Sequence, residues 1–188
     1  MQVKKSTIVI FITLLLLGVL IFTGSKMTGN TIKNLGAQRV LLETNKGNMV
    51  IELYADMPIT SGNFAKLVGE GFYDGVIFHR IIDGFMIQGG DPQGNGMGGP
   101  GYSIKDEFTH SGGNKNNRGT ISMANSGPNS GGSQFFINLV NNNFLDTKHP
   151  AFGKVVEGMD VVDKIAKVGV DGSDRPVEDV KIIEAKLI

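Results

Sequence analysis

The stretch "GTISMANSGPNSGGSQFFIN", Gly119 to Asn138, contains two short runs in which the character of the side chain changes at nearly every step. Successive residues of an extended strand point to opposite faces. Ile121 and Met123 therefore oppose Ser122 and Ala124, while Gln134, Phe136 and Asn138 oppose Phe135 and Ile137. In "FMIQGG", Phe85 to Gly90, Met86 and Gln88 share one face and Ile87 takes the other. Each run thus has a wholly apolar face suited to a core and a second face that mixes apolar residues with amides. A strand half-exposed to water would carry charges on that second face. The pattern fits either ordinary surface with scattered apolar residues or a shallow groove for an extended peptide, with apolar recesses and a few hydrogen-bonding groups.

Outward from these runs, strand-like periodicity continues. "VLLET" and "MVIELY" flank "NKGN", whose residues suit a hairpin turn. "YSIKDEF", from Tyr102, and "VKIIEAKLI", which closes the chain, also read as strands. Two helices interrupt them. The first follows Pro58, with Phe64, Leu67 and Val68 on one stripe and Gly69 or Gly71 as its stop. The second lies in "GMDVVDKIAKVG", with Val161, Val162, Ile165 and Val168 aligned and Gly169 behind them. Many short antiparallel strands and two helices predict a mainly β barrel or sandwich capped by the helices. The chain has 188 residues and 40% hydrophobic content, enough for one sizeable core.

The N-terminus is of another kind. After Lys4 and Lys5 the chain runs uncharged from Ser6 to Ser25, with thirteen apolar residues among those twenty. Such a run is long enough to span a bilayer core of roughly 30 Å as a helix. Residues 1–25 are expected to form a hydrophobic helix acting as a signal anchor with a cytoplasmic N-terminus, or as a signal peptide cleaved near Thr23 or Ser25; a buried core helix is a third reading. Residues 26–38 are small and polar and read as a flexible tether. Residues 39–188 form the domain, which would then lie outside the cytoplasm.

Composition excludes several functions. Eighteen basic and eighteen acidic residues give no net charge, so no nucleic-acid partner is expected. Without cysteine there are no disulfides, thiolate metal sites or thiol nucleophiles. The histidines, His79, His110 and His149, have no metal-ligand spacing, and no metal or cofactor is implied. "GNGMGG", Gly94 to Gly99, satisfies a dinucleotide motif letter by letter, but Pro100 and Gly101 follow where a helix would have to begin. It reads as a glycine loop, and "DGSDRPVED" reads as a solvated turn rather than a calcium loop.

Three blocks, "FHRIIDGFMIQGGD", "GTISMANSGPNSGGSQFFI" and "FLDTKHPAFGKV", resemble the signature blocks of the cyclophilins, the peptidyl-prolyl cis-trans isomerases, in the right order and over about Val40 to Ile188. The resemblance implies a closed eight-stranded antiparallel barrel capped by two α-helices, with a packed interior and a site on its outer face. It implies Arg80 as the catalytic residue. For substrate binding it implies Phe85, Met86, Gln88, Ala124, Asn125, Gln134, Phe136, Phe144, Leu145 and His149. Proline-containing polypeptides are the implied partners of a monomer, with the membrane added if the N-terminal segment is uncleaved. Phe144 stands where a tryptophan is common, Ser126 where alanine is frequent, and Asp83 and Pro150 are local variations. A tryptophan there donates its indole N–H to cyclosporin; phenylalanine has no donor, so weak cyclosporin binding is expected.

An arginine without a nucleophile suits this chemistry. Rotation about a prolyl amide breaks no bond and must only overcome the loss of resonance, a barrier of roughly 18 to 20 kcal/mol. In the twisted state the proline nitrogen regains a lone pair that a guanidinium can hydrogen-bond, which it cannot do in the planar ground state. The alternative use of the same groove is a non-catalytic proline-peptide binding module or holdase. A β-barrel carrier of small ligands is a third reading, which an interior filled by side chains would exclude.

Overall fold

The computed structural model describes residues 37–188. The hydrophobic run and nearly all of the tether lie outside the described residues. Among these residues no helix is long and apolar enough to cross a membrane.

Eight strands form one sheet: β1 (Arg39–Thr44), β2 (Gly47–Leu53), β3 (Arg80–Ile82), β4 (Met86–Gly89), β5 (Thr120–Met123), β6 (Phe135–Asn138), β7 (Ala151–Glu157) and β8 (Ile182–Leu187). Their order across the sheet is β3-β4-β6-β5-β7-β2-β1-β8, and every pairing is antiparallel. Alternation sets the register. Val40 and Leu42 of β1 and Met49, Ile51 and Leu53 of β2 all turn into the core, so a slip by one residue would expose the whole set. β5 and β6 are buried on both faces. Their second face is covered, which agrees with the lack of charges in their sequences.

The curled sheet encloses a packed core. Phe64 from the first helix meets Phe135 edge-on at 5.4 Å between ring centroids, and Tyr73 and Phe152 at 5.0 and 5.3 Å. Such tilted and edge-to-face pairs use the opposite signs of ring edge and ring face. Leu42, Met49, Ile51, Phe78, Ile87 and Ile121 fill the remaining interior with almost no exposure. That filling leaves no room for a carried ligand inside the sheet.

Among the described residues the α-helices are α1 (Thr60–Gly69) and α2 (Met159–Ala166), where the periodicity places them. α1 packs on β7 and β8, and α2 on β2, β3 and β4. Ile59 cannot cap α1. The buried carboxylate of Glu107 does so instead, accepting the N–H groups of Thr60 at 2.8 Å and Ile59 at 3.3 Å. A carboxylate at that end also faces the positive pole of the helix. The helix stops at Gly71, whose φ of +68° suits glycine.

Two expectations are corrected. "YSIKDEF" is no strand: only Ile104 pairs, through one bridge to Gly131, because the segment is spent on loop contacts such as the Glu107 cap. The sheet is also not a closed ring of strands. β3 and β8 are its edges, and no ladder joins them. The irregular segment before β3 spans the gap, with Gly75 and Phe78 donating to Ile182 and Val180 and a lone bridge from Ile77 to Lys181. A left-handed residue at Gly75, φ +80°, interrupts any regular strand there.

Gly90, at the end of β4, also has a positive φ, +84°. A Cβ there would overlap the Ser133 carbonyl oxygen and come within 2.9 Å of the Phe135 ring. Gly90→Ala is expected to destabilise the domain by about 2 kcal/mol or more, combining backbone strain with overpacking. Urea unfolding measures this. A midpoint equal to wild type would show that the junction of β4 and β6 is not tightly set.

Candidate functional site

β3 and β4 form a short hairpin that pairs Arg80 with Gln88 and Ile82 with Met86. Ile81 and Ile87 turn inward, so Arg80, Met86 and Gln88 share the outer face. β6 lies beside β4, with Phe136 opposite Gln88. On this face Met86, Phe136 and Leu145 form a small apolar cluster apart from the main core, with Ile82, Phe85 and Ala124 packed around it.

An open cavity of about 310 Å³ lies over that cluster, lined by Arg80, Phe85, Met86, Gln88, Ala124, Asn125, Phe136, Leu145 and His149. These are nine of the eleven residues implied by the sequence. Gln134 lines an adjoining cavity of about 300 Å³ that shares Gln88, Ala124 and Asn125 with the first. Phe144 lines neither. It is 68% exposed on the rim, with its ring stacked on Phe85 at 6.0 Å and 17°.

Polar contacts orient the walls. The His149 Nδ1 lies 3.0 Å from the Met123 carbonyl oxygen, so Nδ1 carries the proton, and the ring stands edge-on to Phe136 at 5.4 Å. The Gln134 amide donates to the carbonyls of Gly96 and Gly98 and accepts from Gln88 Nε2 at 3.0 Å. This chain engages Gln88 Nε2, while its Oε1 has no protein hydrogen-bond partner among the described residues. The glycine loop that fixes Gln134 is itself gathered on the Asp91 carboxylate, which accepts the N–H groups of Gln93, Asn95 and Gly96 at 2.6–3.0 Å. Burial opposes ionisation of Asp91, but these donors outweigh it and hold its pKa below the usual carboxylate range. The backbone donors of the motif-like "GNGMGG" are thus turned to an internal carboxylate, as in anion-binding nests.

Asn138, an amide that the sequence places on the groove face, lies beneath it. Asn138, Ser122 and Asn116 are fully buried. Asn138 Nδ2 donates to Thr120 Oγ1 at 2.9 Å and Ser122 Oγ at 3.2 Å, and its Oδ1 accepts from Asn142 at 2.9 Å. Asn142 also donates to the Phe85 carbonyl, and Asn116 to that of His149. Asp146 Oδ1 accepts the Asn116 N–H at 2.7 Å. Parity finds the face of Asn138 but not its cover, because that cover comes from residues 114–118, some twenty positions earlier, and from residues 139–150, which leave the strand and fold back over it. Asn116, Asn142 and Asp146 carry no local signal in the sequence. Nor does Asp174, whose carboxylate stands 3.7 Å from Arg80 Nε. Among the described residues no group of acidic or histidine side chains is arranged to hold a metal ion.

Comparison with known proteins places the chain. Residues 39–187 match the model of the cyclophilin type peptidyl-prolyl cis-trans isomerase family. Peptidyl-prolyl cis-trans isomerase ppi1 of Schizosaccharomyces pombe is 50% identical over 149 residues, 78% of this chain and 96% of the relative. Peptidyl-prolyl cis-trans isomerase-like 1 of Aspergillus fumigatus is 47% identical over 156 residues, 81% of this chain and 96% of the relative. A crystal structure of a Cryptosporidium parvum cyclophilin type isomerase superposes with a TM-score of 0.77 at 35% identity, covering 81% of this chain and 98% of the other. A structure of that protein in the presence of the dipeptide Ala-Pro superposes with a TM-score of 0.74, covering 79% and 97%. The chain therefore belongs to the cyclophilin type peptidyl-prolyl cis-trans isomerases, and the class of enzyme that this defines is an isomerase.

Acid should loosen the segment over the site. Burial favours the neutral form of Asp146, yet donors from Asn116 and Asn143 and the charge of Lys115 together hold its pKa below the usual value. At Asp56 the Ser111 N–H leads, burial opposes it and His110 assists, lowering the pKa to about 2. A depressed carboxylate contributes stability that is present above its unfolded value of about 3.9 and is lost as pH falls through the folded value. Stability should therefore decline below about pH 4, and less steeply in Asp146→Asn. Urea midpoints between pH 5 and 2 read this, and parallel curves would remove Asp146 from the account.

Proposed function

We propose that this chain accelerates rotation about X-Pro bonds in exported or extracytoplasmic polypeptides, with Arg80 as its catalytic residue. The observation that carries the chemistry is a guanidinium at the mouth of an open apolar cavity whose other polar groups are amides and one histidine bound to a carbonyl. Met86, Phe136 and Leu145 would seat the proline ring. Gln88 Oε1 and the Asn125 backbone would hold the flanking peptide units while the remainder rotates. Arginine suits the role because it stays charged and presents several donors in a rigid fork. In the twisted transition state one of its N–H groups donates to the lone pair on the proline nitrogen, and no proton need be transferred. That the Cryptosporidium parvum relative was crystallised in the presence of the dipeptide Ala-Pro supports a proline-containing peptide as the ligand.

The cellular setting rests on Lys4, Lys5 and the uncharged run that follows them. An isomerase outside the cytoplasm would act on chains whose prolyl bonds otherwise turn over in tens to hundreds of seconds. Membrane fractionation with N-terminal sequencing tests this part. A soluble chain with an intact N-terminus would overturn it.

Exchange NMR of an Ala-Pro peptide with the full chain tests the activity. Binding without faster exchange would favour the binding module. Arg80→Ala should lower the rate at least about tenfold, the loss of a transition-state donor. Unfolding should be unchanged, because Arg80 lies on the outer face and leaves no core cavity. A wild-type rate would overturn the mechanism.

Phe144 gives a second measurement. Its ring extends the apolar wall through Phe85 but offers no donor. Cyclosporin should inhibit weakly, and Phe144→Trp should tighten it about tenfold or more if the indole N–H satisfies a ligand acceptor. Equal inhibition of both proteins would show that the donor does not limit affinity.

A further inference from the structure

Arg80 begins a three-residue strand at the edge of the sheet, and its side chain is 46% exposed. A long side chain there has freedom that catalysis would have to remove. It also has somewhere else to go. Besides the apolar cavity, Arg80 lines a second opening of about 470 Å³ with His79, Gln88, Ser173 and Arg175. Among the described residues no hydrogen bond fixes its guanidinium, and its ionic partner is Asp174, at 3.7 Å from Nε.

Asp174 is itself held with unusual care. Its φ is +62°, a left-handed value that a non-glycine residue adopts at a cost. The Asp171 side chain accepts the N–H groups of Ser173 at 2.8 Å and Arg175 at 3.0 Å, and Asp171 N–H donates to the Arg175 carbonyl at 2.8 Å. The Asp174 N–H closes the turn on the Asp171 carbonyl, and its own carbonyl accepts the N–H of Ile81, next to Arg80, at 2.8 Å. The tip of this turn is therefore tied by backbone to the strand that carries Arg80. The carboxylate approaches the guanidinium at Nε, and among the described residues the terminal nitrogens make no hydrogen bond. Glycine would take the same backbone without strain, so the side chain is what this position adds.

We infer that Asp174 is a positioning residue, which fixes the plane of the Arg80 guanidinium so that its terminal N–H groups face the proline cavity; this rests on the catalytic reading of Arg80. An exposed ion pair of this length contributes little to folding. Its effect lies in orientation, where small displacements of a catalytic donor are costly.

The test is a cycle of Asp174→Asn and Arg80→Ala, assayed by exchange NMR on an Ala-Pro peptide with thermal unfolding alongside. Asp174→Asn should lower kcat about three- to tenfold with KM nearly unchanged, as expected for loss of donor alignment rather than of peptide contacts. Unfolding should be unaffected. In the Arg80→Ala background the same substitution should have no further effect, since there is no guanidinium left to orient. Asp174→Gly should lose activity equally while unfolding at the same or a higher temperature, because it relieves the left-handed strain. A wild-type kcat in Asp174→Asn, or an equal loss with and without Arg80, overturns the inference. If Arg80→Ala itself keeps the wild-type rate, the catalytic reading fails first and this inference with it.

Discussion

The side-chain amide of Asn138 is the contact on which the outer face depends. It is fully buried and bonded on both ends, to Thr120 and Ser122 on β5 and to Asn142 in the segment that follows β6. Asn142 passes the connection to the Phe85 carbonyl, and Asn116 joins Ser122, Asp146 and the His149 carbonyl. Buried polar groups of this kind cost about 1–3 kcal/mol each when left unpaired. They therefore specify one arrangement of residues 139–150 rather than merely favouring it. That arrangement sets Leu145 and His149 over Phe136, and without it β6 would offer a flat strand face instead of a recess.

The opposite wall is organised by a charge in the same manner. Asp91 gathers backbone N–H groups from the glycine-rich loop, the loop presents two carbonyls to Gln134, and Gln134 orients Gln88. Side chains at the cavity edge are thus held by partners that do not themselves line it. The floor needs no such support, because Met86, Phe136 and Leu145 are fixed by packing. An apolar floor between two hydrogen-bonded walls can hold a proline ring by shape while its neighbouring amides are held by direction. The guanidinium stands outside this rigid frame, on an edge strand, and among the described residues an ion pair alone holds it.

The sheet places these parts at its irregular end. β3 and β4 are short, and the segment before them closes on β8 through isolated hydrogen bonds. Regular closure would have paired the backbone of residues 75–78 throughout. The irregularity instead lets His79 lie at the edge of the second opening, where burial pushes its pKa below the ordinary histidine value despite the nearby Asp91 charge. At neutral pH the imidazole is therefore mostly uncharged, and the guanidinium is the cation that faces both openings.

Periodicity by itself determined which residues turn inward. Ile81, Ile87, Ile121, Phe135 and Ile137 are core because strand geometry leaves an alternating apolar set only one face to bury, and both helices follow from a stripe with a glycine stop. The resemblance of three sequence blocks supplied the residues around the cavity, nine of which line it together. Tertiary structure decided the rest. Whether the second face of β6 meets water, ligand or protein depends on segments brought over it from elsewhere, so Phe136 floors the cavity while Asn138, two residues on, is sealed beneath the surface. The open edge of the sheet, the exposed position of Phe144 and the placing of Asp174 beside Arg80 likewise depend on contacts between residues far apart in the chain, which local side-chain pattern cannot encode.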